Sequence, residues 1–270
     1  MKSQKIYLAT FSDHPEETIR KYGIGIEFNQ FCISTALDPE RIDRTLAYME
    51  KQAGECGLLT TEGRIDPDQA VIHGPFTELY PQAIDPEARA FAMRRFNQAY
   101  EGCRRLGIRR MVVHSGLAPQ IYFDVWHVKQ SVIFWKKFME DKPEDFRLYI
   151  ENVMDPDPRP LLEIAEKLDD PRIRLCLDIG HANACGLPEF PPAEWVRILG
   201  PHIGHFHFHN NDGSSDQHNP ITEGSIDISV IMDAIKTYCD PDVTITVESR
   251  DCESSVRWLK EREEQKITNG

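Results

Sequence analysis

Eight short apolar runs recur along the chain, each followed by a stretch of helical periodicity, and this alternation limits the fold more than any other feature. The strand-like runs are Lys5–Phe11, Gly23–Phe31, Gln69–Phe76, Arg110–Ser115, Arg147–Val153, Arg174–Ile179, Ile203–His209 and Val243–Ser249. Helical patterns lie between them. One opens at Asp38-Pro39, with the proline at the first helical position; another opens at Asp85-Pro86 and runs to Leu106, where Gly107 stops it. Trp126–Glu140, Pro160–Leu168, Pro192–Leu199, Asp227–Tyr238 and Cys252–Glu263 carry the later helices. Strict alternation calls for parallel strands joined by right-handed crossovers. No Gly-x-Gly-x-x-Gly follows the first strand, and polar residues come from strands along the whole chain rather than from one switch point. A single (β/α)8 barrel over residues 1–270 is therefore expected, close to the roughly 250 residues usual for that fold.

Active sites of such barrels lie at the C-terminal strand ends, so chemistry should collect late in each run. It does. The third run reaches His73, the fourth His114, the fifth Glu151, the sixth Asp178 and His181, and the eighth Glu248. The seventh alternates apolar residues with His205, His207 and His209, so its three imidazoles share one face. It then breaks into an Asn/Asp/Gly/Ser loop that delivers Asp216 and His218. Packed core histidines would explain a polar strand face; a divalent-metal site explains the collection of ligand types better. Carboxylates with imidazole suit Mn²⁺, Co²⁺, Zn²⁺ or Mg²⁺, whereas two His with one carboxylate, as in His181, Asp216 and His218, lean towards Zn²⁺.

These pieces, Ile150-Glu151-Asn152, Leu177-Asp178-Ile179-Gly180-His181-Ala182, the histidine strand with Asp216-Gln217-His218, and Val247-Glu248, resemble the xylose-isomerase-like barrels. That group includes sugar phosphate isomerases, ketohexose 3-epimerases and endonuclease IV, and the resemblance runs from about Gly23 to Trp258. It implies one metal held by Glu151, Asp178, His207 and Glu248. It further implies that His73, His114, His181, Asp216 and His218 match the additional ligands of a trinuclear centre. One to three divalent ions, Zn²⁺ or Mn²⁺, are thus expected. On the seventh strand the ligand is His207 or His209; His207 is preferred because Asn210 falls three residues later, where the family carries Asp, Asn or Glu, and His209 is then left for substrate. The implied activity is a sugar or sugar phosphate isomerase or epimerase, with Glu151 and Glu248 exchanging protons beside a carbonyl polarised by the metal. The alternative is an endonuclease IV-like phosphodiester hydrolase. Glu27 is expected either at substrate or in a polar layer filling the barrel, and Arg250 either at a phosphate or carboxylate or in a surface ion pair.

Charge favours a small carbohydrate over nucleic acid. The formal net charge is −13, and non-specific nucleic-acid affinity comes mainly from Lys and Arg neutralising phosphates. Arg104-Arg105 and Arg109-Arg110 flank a helix end and read as solvated surface. No apolar run of about 18 residues is available to span a membrane. The start of the chain lacks signal-peptide character, and seven dispersed cysteines without a C-x-x-C pair read as reduced thiols. A cytoplasmic enzyme is expected, with self-association left open.

Overall fold

The computed structural model describes residues 4–268 and shows a closed barrel of eight parallel strands in sequential order. The strands are β1 Ile6–Ala9, β2 Gly25–Phe28, β3 Ala70–His73, β4 Arg110–His114, β5 Arg147–Glu151, β6 Ile173–Asp178, β7 Ile203–Phe208 and β8 Thr244–Val247. Around them run α1 Pro15–Tyr22, α2 Ile42–Glu55, α3 Pro86–Leu106, α4 Asp124–Met139, α5 Arg159–Leu168, α6 Ile179–Cys185, α7 Pro192–Leu199, α8 Ile228–Tyr238 and α9 Glu253–Thr268. This is the (β/α)8, or TIM, barrel that the alternation predicts. Among the described residues no helix is long and apolar enough to cross a membrane.

Alternation within each strand sorts the side chains. Residues such as Ile26, Phe28, Ile72, Phe206 and Phe208 turn outwards into the shell beneath the helices, where Phe96, Phe134, Trp135 and Phe138 pack edge to face. The inward set includes Tyr7, Val71, Val112, Tyr149 and Cys176 low in the barrel, and Glu27, His205 and Thr246 above them. One irregularity sets the aim of β7. Its register with β6 shifts between Leu175 and Cys176, so Leu175 pairs with Ile203 but Cys176 with His205. The extra residue is Gly204, where a Cβ would press on Tyr149 and Arg174. After this bulge His205 and His207 face inwards beside Cys176 and Asp178.

Helix signals behave as expected at α3: the Asp85 side chain accepts from Glu87 N–H at 2.7 Å, Pro86 occupies the first position, and Gly107 ends it at φ 73°. The expected helix start at Asp38-Pro39 is corrected. A short 3₁₀ turn, Ser34–Leu37, precedes Asp38, whose carbonyl accepts from both Arg41 and Ile42, and α2 proper begins at Ile42. Two helices were not expected. α1 is a short helix opened by Pro15, and α6 begins directly on the last residue of β6 with no loop to announce it.

Candidate metal centre

The C-terminal mouth gathers His73, His114, Glu151, Asp178, His181, His207, His209, Asp216, His218 and Glu248. Their ligand atoms form overlapping groups: His73, His114 and Glu151; Glu151, Asp178 and His207; Glu27, His73, His207 and Glu248; and His181, His209, Asp216 and His218. Glu151 is the hub. Its Oε2 lies 3.2 Å from His73 Nε2 and 3.7 Å from His114 Nε2, while Oε1 lies 3.1 Å from His207 Nδ1 and 3.3 Å from His181 Nδ1. Burial would push this carboxyl up, but the imidazoles of His207 and His114 overcome it and hold Glu151 well below the usual carboxylate range. Glu248 is placed differently. Its nearest imidazole nitrogen is His207 Nδ1 at 3.6 Å, and burial, with Glu151, Glu27 and Asp178 as anionic neighbours, outweighs His207 and raises its pKa.

Local sequence explains how the ligands are held. Asp178 caps α6, its Oδ1 accepting from His181 N–H at 2.7 Å, so one turn of helix swings His181 back over the strand end. Asn152 ties β5 to β6 by exchanging two hydrogen bonds of 2.9 Å with the Asp178 backbone, and its own carbonyl lies 2.9 Å from His181 Nδ1. Gly180 is required because a Cβ there would overlap the His209 ring. Asn210 braces the loop after β7 through bonds to Ile221 and Ile226, and the paired Asn210 and Asn219 close it. At the loop end His218 takes φ 51°, a left-handed conformation unusual for such a side chain. Phe76 stacks on His114 with centroids 4.0 Å apart. Asn152, Gly180 and Asn210 stand in or beside the quoted motifs, but their bracing roles, like that of Phe76, were not predicted from sequence; Asn152, directly after Glu151, had the most readable signal, since a buried amide at a strand end must find partners.

Hydrogen bonding fixes the ring tautomers. His73 Nδ1 is 3.0 Å from the Gly74 carbonyl, His181 Nδ1 2.9 Å from that of Asn152, and His218 Nδ1 2.7 Å from that of Glu248. A carbonyl only accepts, so each Nδ1 carries a proton, and each Nε2 faces a carboxylate, where a cation would take the place of a proton. His207 is reversed: Nε2 faces Glu27 Oε1 at 3.1 Å, and Nδ1 faces the carboxylates. Asp178 Oδ2, His207 Nδ1 and both ring nitrogens of His209 are buried and make no hydrogen bond. Buried polar atoms without hydrogen bonds, set among imidazoles and carboxylates, are the donor set a divalent cation requires, so the residues fit a metal.

The three residues offered for substrate contact take different positions. Glu27 is fully buried beneath His207, its oxygens taken by His205, His207 and Thr246, so it belongs to the polar layer inside the barrel. His209 is fully buried as well, with Nε2 3.1 Å from Asp178 Oδ1 and 3.4 Å from Asp216 Oδ1 and its ring stacked on His218. It stands among ligand-type groups, and β7 thus offers both His207 and His209 to the centre. Arg250 is exposed on the loop leaving β8, its backbone bonded to His218 and Asp13.

Comparison with known proteins agrees with this architecture. A family model described as xylose isomerase-like TIM barrel matches residues 20–264. The uncharacterized protein MJ1311 of Methanocaldococcus jannaschii is 30% identical over 203 residues, covering 70% of this chain and 67% of that protein. A D-tagatose 3-epimerase-like protein superposes with a TM-score of 0.73 at 23% identity, over 98% of each chain. The TTHB071 protein of Thermus thermophilus, soaked with ZnCl₂, gives 0.73 at 21% identity over 97% of this chain and 98% of that one. With the family model spanning nearly all of the barrel, the chain belongs to the xylose isomerase-like TIM barrel family.

Proposed function

We propose that this chain is a divalent-metal-dependent isomerase or epimerase that moves a proton beside the carbonyl of a sugar or sugar phosphate. The observation that carries the reading is the contrast between its two buried glutamates. Glu248 meets a single imidazole, His207 at 3.6 Å, which leaves it freer to take up and return a proton. Glu151 is enclosed by four imidazoles and suits a ligand more than a free base. Glu151, Asp178, His207 and Glu248 would hold one ion, and the His73/His114 and His181/Asp216/His218 groups would hold further ions, Zn²⁺ or Mn²⁺, one to three in all. When bound, the metal supplies Lewis-acid polarisation worth several kcal/mol. The likeness to a D-tagatose 3-epimerase-like fold supports this choice of chemistry. The seven cysteines are free thiols, in keeping with a reducing, cytoplasmic setting.

A second reading, a phosphodiester hydrolase with a multinuclear centre, is favoured by one feature: the two oxygens of Glu151 face separate histidine groups, as a carboxylate shared between neighbouring ions would. The net charge of −13 opposes it, and no salt-sensitive binding to duplex DNA is expected. The test is incubation of metal-loaded protein in D₂O with a panel of ketoses and ketose phosphates. Deuterium should appear on the carbon next to the carbonyl of an accepted sugar, and Glu248→Gln should lower exchange and turnover by about 10²–10⁴-fold. Cleavage of DNA at abasic sites, with no carbon-bound deuterium from any sugar, would replace this reading with the hydrolase.

A further inference from the structure

Beneath the ligand groups lies a closed set of buried polar side chains that the proposed chemistry does not use. Glu27 on β2, His205 on β7, and Thr244 and Thr246 on β8 are all buried. His205 Nδ1 is 2.6 Å from Thr244 Oγ1, and its Nε2 is 2.9 Å from Thr246 Oγ1 and 3.2 Å from Glu27 Oε2. The Thr246 hydroxyl also donates to Glu27 Oε2. Tyr149 stacks on the His205 ring from below, with centroids 5.3 Å apart. His205, although in the same row as His207 and His209, therefore has both nitrogens committed within the wall.

The remaining oxygen of Glu27, Oε1, faces His207 Nε2 at 3.1 Å. An ionised carboxylate accepts and cannot donate, so the proton of this contact sits on His207 Nε2. In the neutral ring the other nitrogen then offers its lone pair; it is the buried Nδ1, which makes no hydrogen bond and is aimed at Glu151, Glu248 and Asp178. We propose that Glu27 is a positioning residue, clamped by His205 and Thr246, that fixes the tautomer and ring orientation of His207 so that Nδ1 serves as the β7 ligand of the central ion. The arrangement inverts that of His73, His181 and His218, whose Nδ1 protons go to backbone carbonyls. Geometry gives the reason. The carbonyl of a β-strand lies within the sheet, out of reach of an inward-pointing ring, so a partner for His207 must come from a side chain across the barrel. Outer carboxylates of this kind also raise ligand basicity, and their loss typically weakens metal binding by about 10–100-fold.

The inference rests on the metal-centre reading, and one experiment separates the two. Zn²⁺ titration and long-range ¹H–¹⁵N spectra of histidine-labelled protein are recorded for wild type, His207→Ala (to assign the signal) and Glu27→Gln. The expected wild-type spectrum has the His207 proton on Nε2 and a metal-shifted Nδ1, and Glu27→Gln should bind Zn²⁺ about 10–100-fold more weakly. If wild type binds no Zn²⁺, the metal-centre reading fails. If it binds Zn²⁺ but the His207 proton is on Nδ1, or Glu27→Gln leaves the affinity unchanged, the proposal for Glu27 fails while the centre stands. The wild-type tautomer decides the matter even where Glu27→Gln does not fold, and a purely structural glutamate would not dictate it.

Discussion

Two polar layers are stacked inside this barrel, built from the same kinds of residue and differing in how fully they are satisfied. The lower layer, Glu27, His205, Thr244 and Thr246, satisfies its hydrogen bonds within itself and through one contact upwards, from Glu27 to His207. The upper layer crowds Glu151, Asp178, Glu248 and a ring of imidazoles together, yet leaves Asp178 Oδ2, His207 Nδ1 and both nitrogens of His209 without hydrogen bonds. Residue type alone does not separate a structural histidine from a ligand. Completeness of bonding does: a satisfied buried network adds rigidity, and an incomplete one costs free energy until something fills it.

The comparison can be broken by treating each layer as the other. His205→Phe keeps the stack on Tyr149 but strips Glu27 of a partner. His205 is neutral, its pKa lowered by burial, and leaving a buried charged group short of a hydrogen bond costs about 3 kcal/mol or more, so the metal-free protein should melt lower by roughly 10 °C. A melting temperature within a degree of wild type would mean that the lower layer is not a structural unit.

Asp155 tests whether an orphaned atom by itself marks a ligand site. It lies on the loop after β5, buried, with Oδ2 bonded to Ser115 and Val153 and Oδ1 unpaired. Burial pushes its carboxyl up from 3.8 to about 6. A carboxyl raised on folding favours the folded state at low pH, and that contribution is lost as pH rises from the unfolded value through about 6. Asp155→Asn should thus gain stability relative to wild type at pH 8 but not at pH 4, by up to about 3 kcal/mol at 1.36 kcal/mol per pKa unit. Equal effects at both pH values, measured by denaturant unfolding, would show that Asp155 is charged in the folded state as readily as in water.

The smallest effect belongs to the upper layer. Glu248→Gln removes one of several crowded carboxylates, so the metal-free variant should be as stable as wild type to within about 1 kcal/mol, or more stable. Its affinity for Zn²⁺ should nevertheless fall at least tenfold, since an anionic ligand is lost. Large destabilisation without loss of metal affinity would reverse the roles assigned to the two layers.

Much of this was legible in the sequence because strand periodicity and strand-end chemistry are local. The alternation predicts the barrel, and polar residues ending successive strands predict which side chains meet at the mouth. What stayed hidden depends on pairing across the barrel. Glu27 on β2 and Asn29 just past its end alternate with apolar neighbours, but only the register shows that the first is sealed beneath His207 while the second bonds Thr10, just past the end of β1. His207 and His209 are equivalent by periodicity and diverge only through the partners they meet. The start of α2 was misplaced because Asp-Pro forms a turn as readily as a helix N-terminus, and α6 was missed because Asp178 ends a strand and caps a helix at once.

The claim beneath all of this is that the upper layer holds a divalent cation through Asp178, the carboxylate on which His207 and His209 both converge. Equilibrium dialysis of wild type and Asp178→Ala against Zn²⁺, read by elemental analysis and with folding of both monitored by circular dichroism, tests it directly. The account predicts tight binding by wild type, removable with a chelator, and affinity lower by about 100-fold in Asp178→Ala, the upper end of what a disturbed ligand sphere usually costs. Equal metal content in a folded Asp178→Ala protein, or no binding by wild type, would contradict it.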